Sequence, residues 1–227
     1  MIDQASPWHA YAEQVPHVPG PSPVRQRMEW GMHPGIGPDA RVLGPALHER
    51  RVLELGCGNG HNAAHLAGVH GAEVTAVDLV GTQIRRANEK YGALKGLTFL
   101  ICDALRFLRN GTLPFDSVYS VFGALGLTDP EIMLPAVARR LRTHGRLVFS
   151  VPHPRRRNRS SPPDGRPHLD FLLLPDGTRR PVTRWEPDVP GWHSALHRAG
   201  FRPTGVHELP DPRRARLTTL VISARRR

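Results

Sequence analysis

This 227-residue sequence predicts an α/β fold, a doubly wound and mostly parallel sheet of seven strands, from three observations. Short apolar runs alternate with helix-prone segments, which is the spacing of βαβ units with right-handed crossovers. The first run, Arg51-Val-Leu-Glu-Leu55, leads straight into glycines at 56, 58 and 60, a tight strand-to-helix turn whose amides lie open to a bound molecule. The second run, Glu73-Val-Thr-Ala-Val-Asp-Leu79, ends near a carboxylate about 20 residues beyond the glycines, where an acid can take both hydroxyls of a ribose.

Taken in order, residues 1–48 are proline-rich and read as an N-terminal cap with helices over 5–15, 24–31 and 39–47. Pro16, Pro19, Pro21 and Pro23 force an extended link within it, and its few apolar residues cannot make a core of their own. The Rossmann-like domain, 49–227, carries strands at 51–55, 73–79, 97–102, 116–122 and 146–151, with helices near 61–69, 81–91 and 130–142, the last stopped by Gly145. The strands are almost continuously apolar, as expected when helices cover both faces. An insertion at 155–189 holds a hairpin, in which the run from Asp170 to Leu174 and the run from Arg179 to Trp185 flank a Pro-Asp-Gly turn. A helix at 190–199 then precedes strands at 202–209 and 216–223, which only a short turn separates, so they pair antiparallel.

Bulk properties narrow the function. No stretch approaches the ~20 apolar residues of a membrane span, and Met1-Ile-Asp-Gln-Ala5 has neither the basic start nor the apolar core of a signal peptide. Cys57 and Cys102 both fall in the sheet region, which points to a reducing cytoplasm rather than a disulfide. The net charge of +11 invites a nucleic-acid partner, but all cations except Lys90 and Lys95 are arginines, the mark of a coding bias rather than of a phosphate surface. Thirteen histidines and the cluster Arg155, Arg156, Arg157 and Arg159 keep that partner in view.

The glycine pattern is G-x-G-x-G rather than the dinucleotide G-x-G-x-x-G, and Glu54 precedes it, awkward beside a phosphate but useful beside an ammonium group. The ensemble resembles motif I and the following acidic motif of the class I S-adenosylmethionine-dependent methyltransferases. The resemblance continues through Asp78-Leu-Val-Gly-Thr-Gln-Ile-Arg-Arg-Ala87, Phe99-Leu-Ile-Cys-Asp-Ala104, Phe115-Asp-Ser-Val-Tyr-Ser-Val-Phe122 and Leu141-Arg-Thr-His-Gly-Arg-Leu-Val-Phe-Ser150. It implies S-adenosylmethionine as cofactor, S-adenosylhomocysteine as product, and a reversed last strand. It also implies that Gly56, Gly58 and Gly60, with Cys57 and Asn59 between them, surround the methionyl part, with Glu54 near the ammonium. Asp78 would take the ribose hydroxyls, Leu79 the adenine face, and Asp103 and Ala104 the adenine edge. Ser120 would converge on the same crevice.

Methyl transfer from a sulfonium needs alignment more than covalent help. Where the acceptor arrives protonated, a histidine suits the task at neutral pH. His153, at the end of the fifth strand, and His33, in the cap, are the expected catalytic bases, with His61 a third candidate. Trp8, Tyr11, Trp30 and Phe122 are the expected substrate contacts, since they could stack on a flat molecule. The fourth strand leads into Ser120-Val-Phe-Gly-Ala-Leu-Gly126, without the Asn-Pro-Pro-Tyr-like sequence of enzymes that methylate exocyclic amino groups of bases. His193 and His197 share a helix face with no third ligand evident, so no metal is expected. The expectation is a cytoplasmic, bacterial-type methyltransferase acting on a small molecule in specialised metabolism, without membrane attachment or nucleic acid, and with a homodimer as the assembly considered. The alternatives are an RNA or protein methyltransferase, and a non-catalytic partner or regulatory subunit that binds the cofactor.

Overall fold

A computed structural model of the chain describes residues 6–157, 165–214 and 216–227. Seven strands form one sheet in the order β3-β2-β1-β4-β5-β9-β8: β1 Arg51–Leu55, β2 Glu73–Asp78, β3 Leu97–Ile101, β4 Phe115–Val121, β5 Leu141–Pro152, β8 Phe201–Pro210 and β9 Leu217–Arg226. β1 through β5 pair in parallel, and β9 runs antiparallel to both β5 and β8. The reversed strand follows from the six residues that separate β8 from β9 in the sequence, too few to carry a crossover.

Helices α2 (His61–His70) and α3 (Gly81–Tyr91) cover one face of this sheet, and α4 (Ala104–Asn110), α5 (Pro130–Arg140) and α6 (Val189–Arg198) the other. Local chemistry sets their starts. Asp129 and Asp188 accept from the amides of Glu131 and Gly191, with a proline in the first turn of each helix. Because strand side chains alternate, Leu53 and Leu55 enter the core under α4 and α5 while Val52 faces α2. Glu54 shares the parity of Val52, so a carboxylate stands where that row would take an apolar side chain.

Several local expectations change. Residues 24–31 form no helix but run as an extended, bent segment, and 39–47 contain only a 3₁₀ turn at Ala40–Leu43. Both are drawn into the core: Met28, Trp30, Leu43 and Leu47 are buried against the α2 face. Gly145 does not stop α5, which ends at Arg140. It follows the positive-φ His144 inside an excursion of β5, where the register with β4 slips between Leu141 and Arg146. Helix α4, absent from the sequence reading, starts at an Asp103 cap. The insertion does form its hairpin, β6 (His168–Leu173) against β7 (Arg179–Arg184), and helix α1 (Ser6–Gln14) lies between that hairpin and α3.

Candidate active site

The carboxyl ends of β1, β2 and β4 surround a cavity of about 430 Å³, the position the doubly wound topology reserves for a ligand. The three glycines after β1 do different work. A Cβ on Gly56 (φ +76°) would meet the Cα of Gly123 at 2.7 Å, so this glycine lets the β1 and β4 turns close on each other. A Cβ on Gly60 would lie 2.5 Å from the Phe99 ring; this glycine packs α2 against β3 and does not line the cavity, contrary to its expected cofactor contact. Gly58 (φ +53°) has nothing within 4 Å in that direction, so here the backbone itself is presented to a ligand. No side chain caps α2, which leaves its N-terminal amides and partial positive charge facing the same space.

Two acids define the electrostatics. Asp78 ties the loop together, accepting from the Gly58 amide at 2.8 Å through Oδ2 and from the Val80 amide at 2.9 Å through Oδ1. Burial raises its carboxyl, and these amides oppose the shift. Glu54 is only 2% exposed, and its Oε2 lacks a hydrogen-bond partner although the residue lines the cavity. Burial pushes its carboxyl up to about 8, helped by the nearby Asp78 charge and opposed by the Tyr119 hydroxyl. A buried, unpaired carboxyl oxygen is costly unless a ligand completes it.

Cys57, Asn59, Leu79, Asp103 and Ala104 line the cavity, as do Trp8, Tyr11 and Phe122. Asp103 also caps α4 by accepting from the Arg106 amide at 2.8 Å. Leu79 is 42% exposed, an apolar surface beside Asp78. Phe122 holds φ +49°, a conformation that is an outlier for a bulky side chain and keeps its ring on the wall just past β4. His61 lines the cavity too. Its Nδ1 pairs with Asn59 Oδ1 at 2.8 Å and its Nε2 lies 3.5 Å from Glu29, while burial, with Arg25 nearby, lowers its imidazole to about 4. The sequence reading missed Glu29, Asn62, Gln83, Leu127 and Thr128. Asn62 pins the wall in place: its Oδ1 accepts from the Glu29 amide and its Nδ2 donates to the Glu29 carbonyl, at 2.9 and 3.0 Å.

Residues 52–145 match the family model of a methyltransferase domain. Over 111 residues the chain is 32% identical to an O-methyltransferase, cnsE, of Penicillium expansum, a stretch covering 48% of this chain and 40% of that one. An S-adenosylmethionine-dependent methyltransferase from Mesorhizobium loti superposes with a TM-score of 0.58 at 26% identity, over 82% of this chain and 95% of that one. A second solved structure, the 1,6-didemethyltoxoflavin-N1-methyltransferase of Burkholderia thailandensis with 1,6-didemethyltoxoflavin and S-adenosylhomocysteine bound, gives 0.58 at 25% identity, over 82% and 78%. The chain carries a class I S-adenosylmethionine-dependent methyltransferase domain.

The methyltransferase crevice leaves out four further residues that the sequence had directed to it. Ser120 is fully buried and donates to the Leu55 carbonyl at 2.7 Å, bolting β4 to β1. Trp30 is likewise fully buried, edge-on to Tyr119, with its indole N–H on the Pro38 carbonyl at 3.0 Å. His153 ends β5 as expected but is 3% exposed, because β9 lies alongside it; its Nε2 sits 2.9 Å from Glu208 on β8 and its Nδ1 accepts from the Arg155 amide. His33 lies 3.8 Å from Asp211, in the turn between β8 and β9. Neither proposed histidine base lines the cavity. Among the described residues no His, Cys, Asp and Glu cluster suits a metal, and no helix is long and apolar enough to cross a membrane.

Proposed function

We propose that the chain transfers the methyl group of S-adenosylmethionine to a small acceptor molecule. The observation that carries this reading is Glu54, a buried carboxyl with an unpaired oxygen at the inner end of a cavity whose floor is the open backbone of Gly58. Together these groups suit the cofactor's charged methionyl end. Glu54 would receive its ammonium, the amides at the start of α2 its carboxylate, Asp78 the ribose hydroxyls, and Leu79 with Ala104 the adenine. The remaining lone pairs of Asp78 serve for this even though each oxygen already accepts one amide.

When bound, the cofactor supplies an electrophilic methyl on sulfur, which leaves with the C–S electron pair as a neutral thioether. The chain contributes alignment and exclusion of water. Near-attack separations of about 3–3.5 Å supply much of the acceleration in such a displacement. Trp8 and Tyr11 on α1 close the cavity from above. Two contacts tether that helix to the hairpin: Gln14 and Asp176 exchange hydrogen bonds at 2.9 and 3.2 Å, and the Arg184 guanidinium lies 6.0 Å from the Trp8 ring centre. The lid is therefore α1 rather than all of residues 1–48. With His61 a weak base because burial lowers it to about 4, and with His33 and His153 outside the cavity, the acceptor is expected to be nucleophilic without first losing a proton, as a ring nitrogen is.

A role in specialised metabolism is supported by the O-methyltransferase relative and by the toxoflavin-type neighbour. An RNA-directed reading is weakened at Arg156, whose guanidinium binds Asp170 at 2.9 Å and Glu186 at 2.7 Å; Arg159 lies outside the described residues. Calorimetric titration with S-adenosylhomocysteine, followed by transfer of labelled methyl to a metabolite extract and to RNA, tests both parts. Binding with label in small molecules supports the proposal, and label in RNA alone overturns the acceptor class.

A further inference from the structure

We infer that the acceptor is a flat aromatic or heteroaromatic molecule with no anionic group, and that carboxylated and phosphorylated acceptors are excluded by the crevice. The inference rests on the methyltransferase reading of the same cavity and concerns only which molecules share it with the cofactor.

The first ground is a contrast of charge. The chain has a net charge of +11, yet among the described residues that line the cavity there is neither lysine nor arginine. Its ionisable lining is acidic instead: Glu29, Glu54, Asp78 and Asp103. The one histidine in the lining, His61, is held neutral by burial. An anionic acceptor placed beside Tyr11, Phe122 and Thr128, apart from the α2 amides that suit the cofactor's carboxylate, would lose its water and meet no cation among the described lining residues, which is the costly case for a buried charge.

The second ground is where the nearby cations go. Arg25 is bound to Glu29, and Arg86 donates to the Ala12 carbonyl at 2.7 Å. Arg156 spans Asp170 and Glu186, and Arg184 Nε lies 3.0 Å from Asp170. None of these guanidinium groups lines the cavity; Arg156 and Arg184 share Asp170, Arg86 ties α1 to α3, and Arg25 is held by its neighbour Glu29. In a chain this rich in arginine, a site for an anion would have guanidinium groups to draw on, since their paired donors match carboxylates and phosphates.

The third ground is the surface that remains. Trp8 and Tyr11 meet edge to face, with ring centres 6.3 Å apart, and Phe122, Leu127 and Thr128 line the same cavity. These faces accept a planar ring by stacking and apolar contact. The Tyr11 and Thr128 hydroxyls can pair with a phenol or a ring nitrogen, neutral partners that need no counter-charge.

The test uses the full chain saturated with S-adenosylhomocysteine and two matched probes, 2-naphthol and 2-naphthoate, with binding read by calorimetry and by quenching of tryptophan fluorescence. The expected result is 2-naphthol bound about 30-fold more tightly than 2-naphthoate, since only the second must bury an unpaired charge. Thr128→Lys, or Leu127→Lys should the first fail to fold, is expected to raise 2-naphthoate affinity about tenfold by supplying the missing cation. Equal or tighter binding of 2-naphthoate by the unaltered chain overturns the charge argument, and binding of neither probe overturns the flat-aromatic argument. Failure of S-adenosylhomocysteine itself to bind overturns the methyltransferase reading, and that titration comes first.

Discussion

The two ends of the crevice are built on different principles. At the end proposed for the cofactor, the groups are strand termini and backbone: Gly58 presents its main chain, Asp78 locks two loop amides, and Glu54 has an unpaired oxygen. At the end proposed for the acceptor, the lining is made by side chains of α1 and of the loop after β4, held by a few tethers to the hairpin and α3. The first end tolerates little change, because its residues also close the sheet. The second can vary freely over a fixed scaffold, as loops around a rigid fold generally do.

The sharpest way to break that contrast is to alter residues that belong to the scaffold although they sit among the elaborations. Trp30→Ala should cost about 3–5 kcal/mol, the range for emptying a buried aromatic site, so thermal melting should show a large loss. If the protein melts unchanged, the N-terminal segment is a detachable cap after all. Next comes a pair within the loop. Gly56→Ala should lose about 2–5 kcal/mol of stability, because the new methyl collides with the Gly123 backbone and strains a positive φ. Gly58→Ala should lose only about 1–2 kcal/mol from the left-handed conformation, yet should weaken S-adenosylhomocysteine binding more than its stability loss suggests. Comparable stability losses in the two variants would erase the division between packing glycine and ligand-facing glycine.

A smaller, graded effect concerns Glu54. Its carboxyl titrates near 8 in the folded chain against an ordinary 4.5, so it is mostly protonated at neutral pH. Because the folded value is raised, ionisation costs stability to the ligand-free fold as pH climbs from 4.5 to 8. An incoming ammonium needs the ionised form, so affinity for S-adenosylhomocysteine should rise about tenfold per pH unit between 6 and 8 and then level off. The charged neighbour Asp78 opposes ionisation, while the Tyr119 hydroxyl and the Ala63 amide favour it. Glu54→Gln should flatten the profile in binding experiments, and a profile equally steep in that variant would assign the proton to another group.

Legibility in the sequence followed the same division. The strands of the sheet could be read because burial on both faces writes continuous apolar runs, and the hairpin because Pro175-Asp-Gly177 is a turn with a mechanism. Asp78 and Glu54 could be placed because their spacing from the glycines is local. Trp30 could not, since its burial depends on Tyr119, a contact made only in the fold. His153 reached the predicted end of β5, but β9 enters reversed beside that strand and, with β8, closes over it, a tertiary event no local pattern announces. Asn62 left a faint signal, a polar side chain in the first turn of α2 directly after the loop, though its partner Glu29 lies in a segment that reads as helix and folds as extended chain.

The central claim is that the Gly58–Asp78 pair forms the seat of a nucleoside, and it is tested most directly by calorimetry with S-adenosylhomocysteine on the unaltered chain and on Asp78→Ala. Removing the carboxylate deprives both ribose hydroxyls and two loop amides of an acceptor, and losing hydrogen bonds to a charged group costs about 1.5–3 kcal/mol, or about 10–150-fold in affinity. The account predicts saturable one-to-one binding that weakens at least tenfold in a folded Asp78→Ala protein. Equal affinity in the two proteins, or no binding in either, would contradict it.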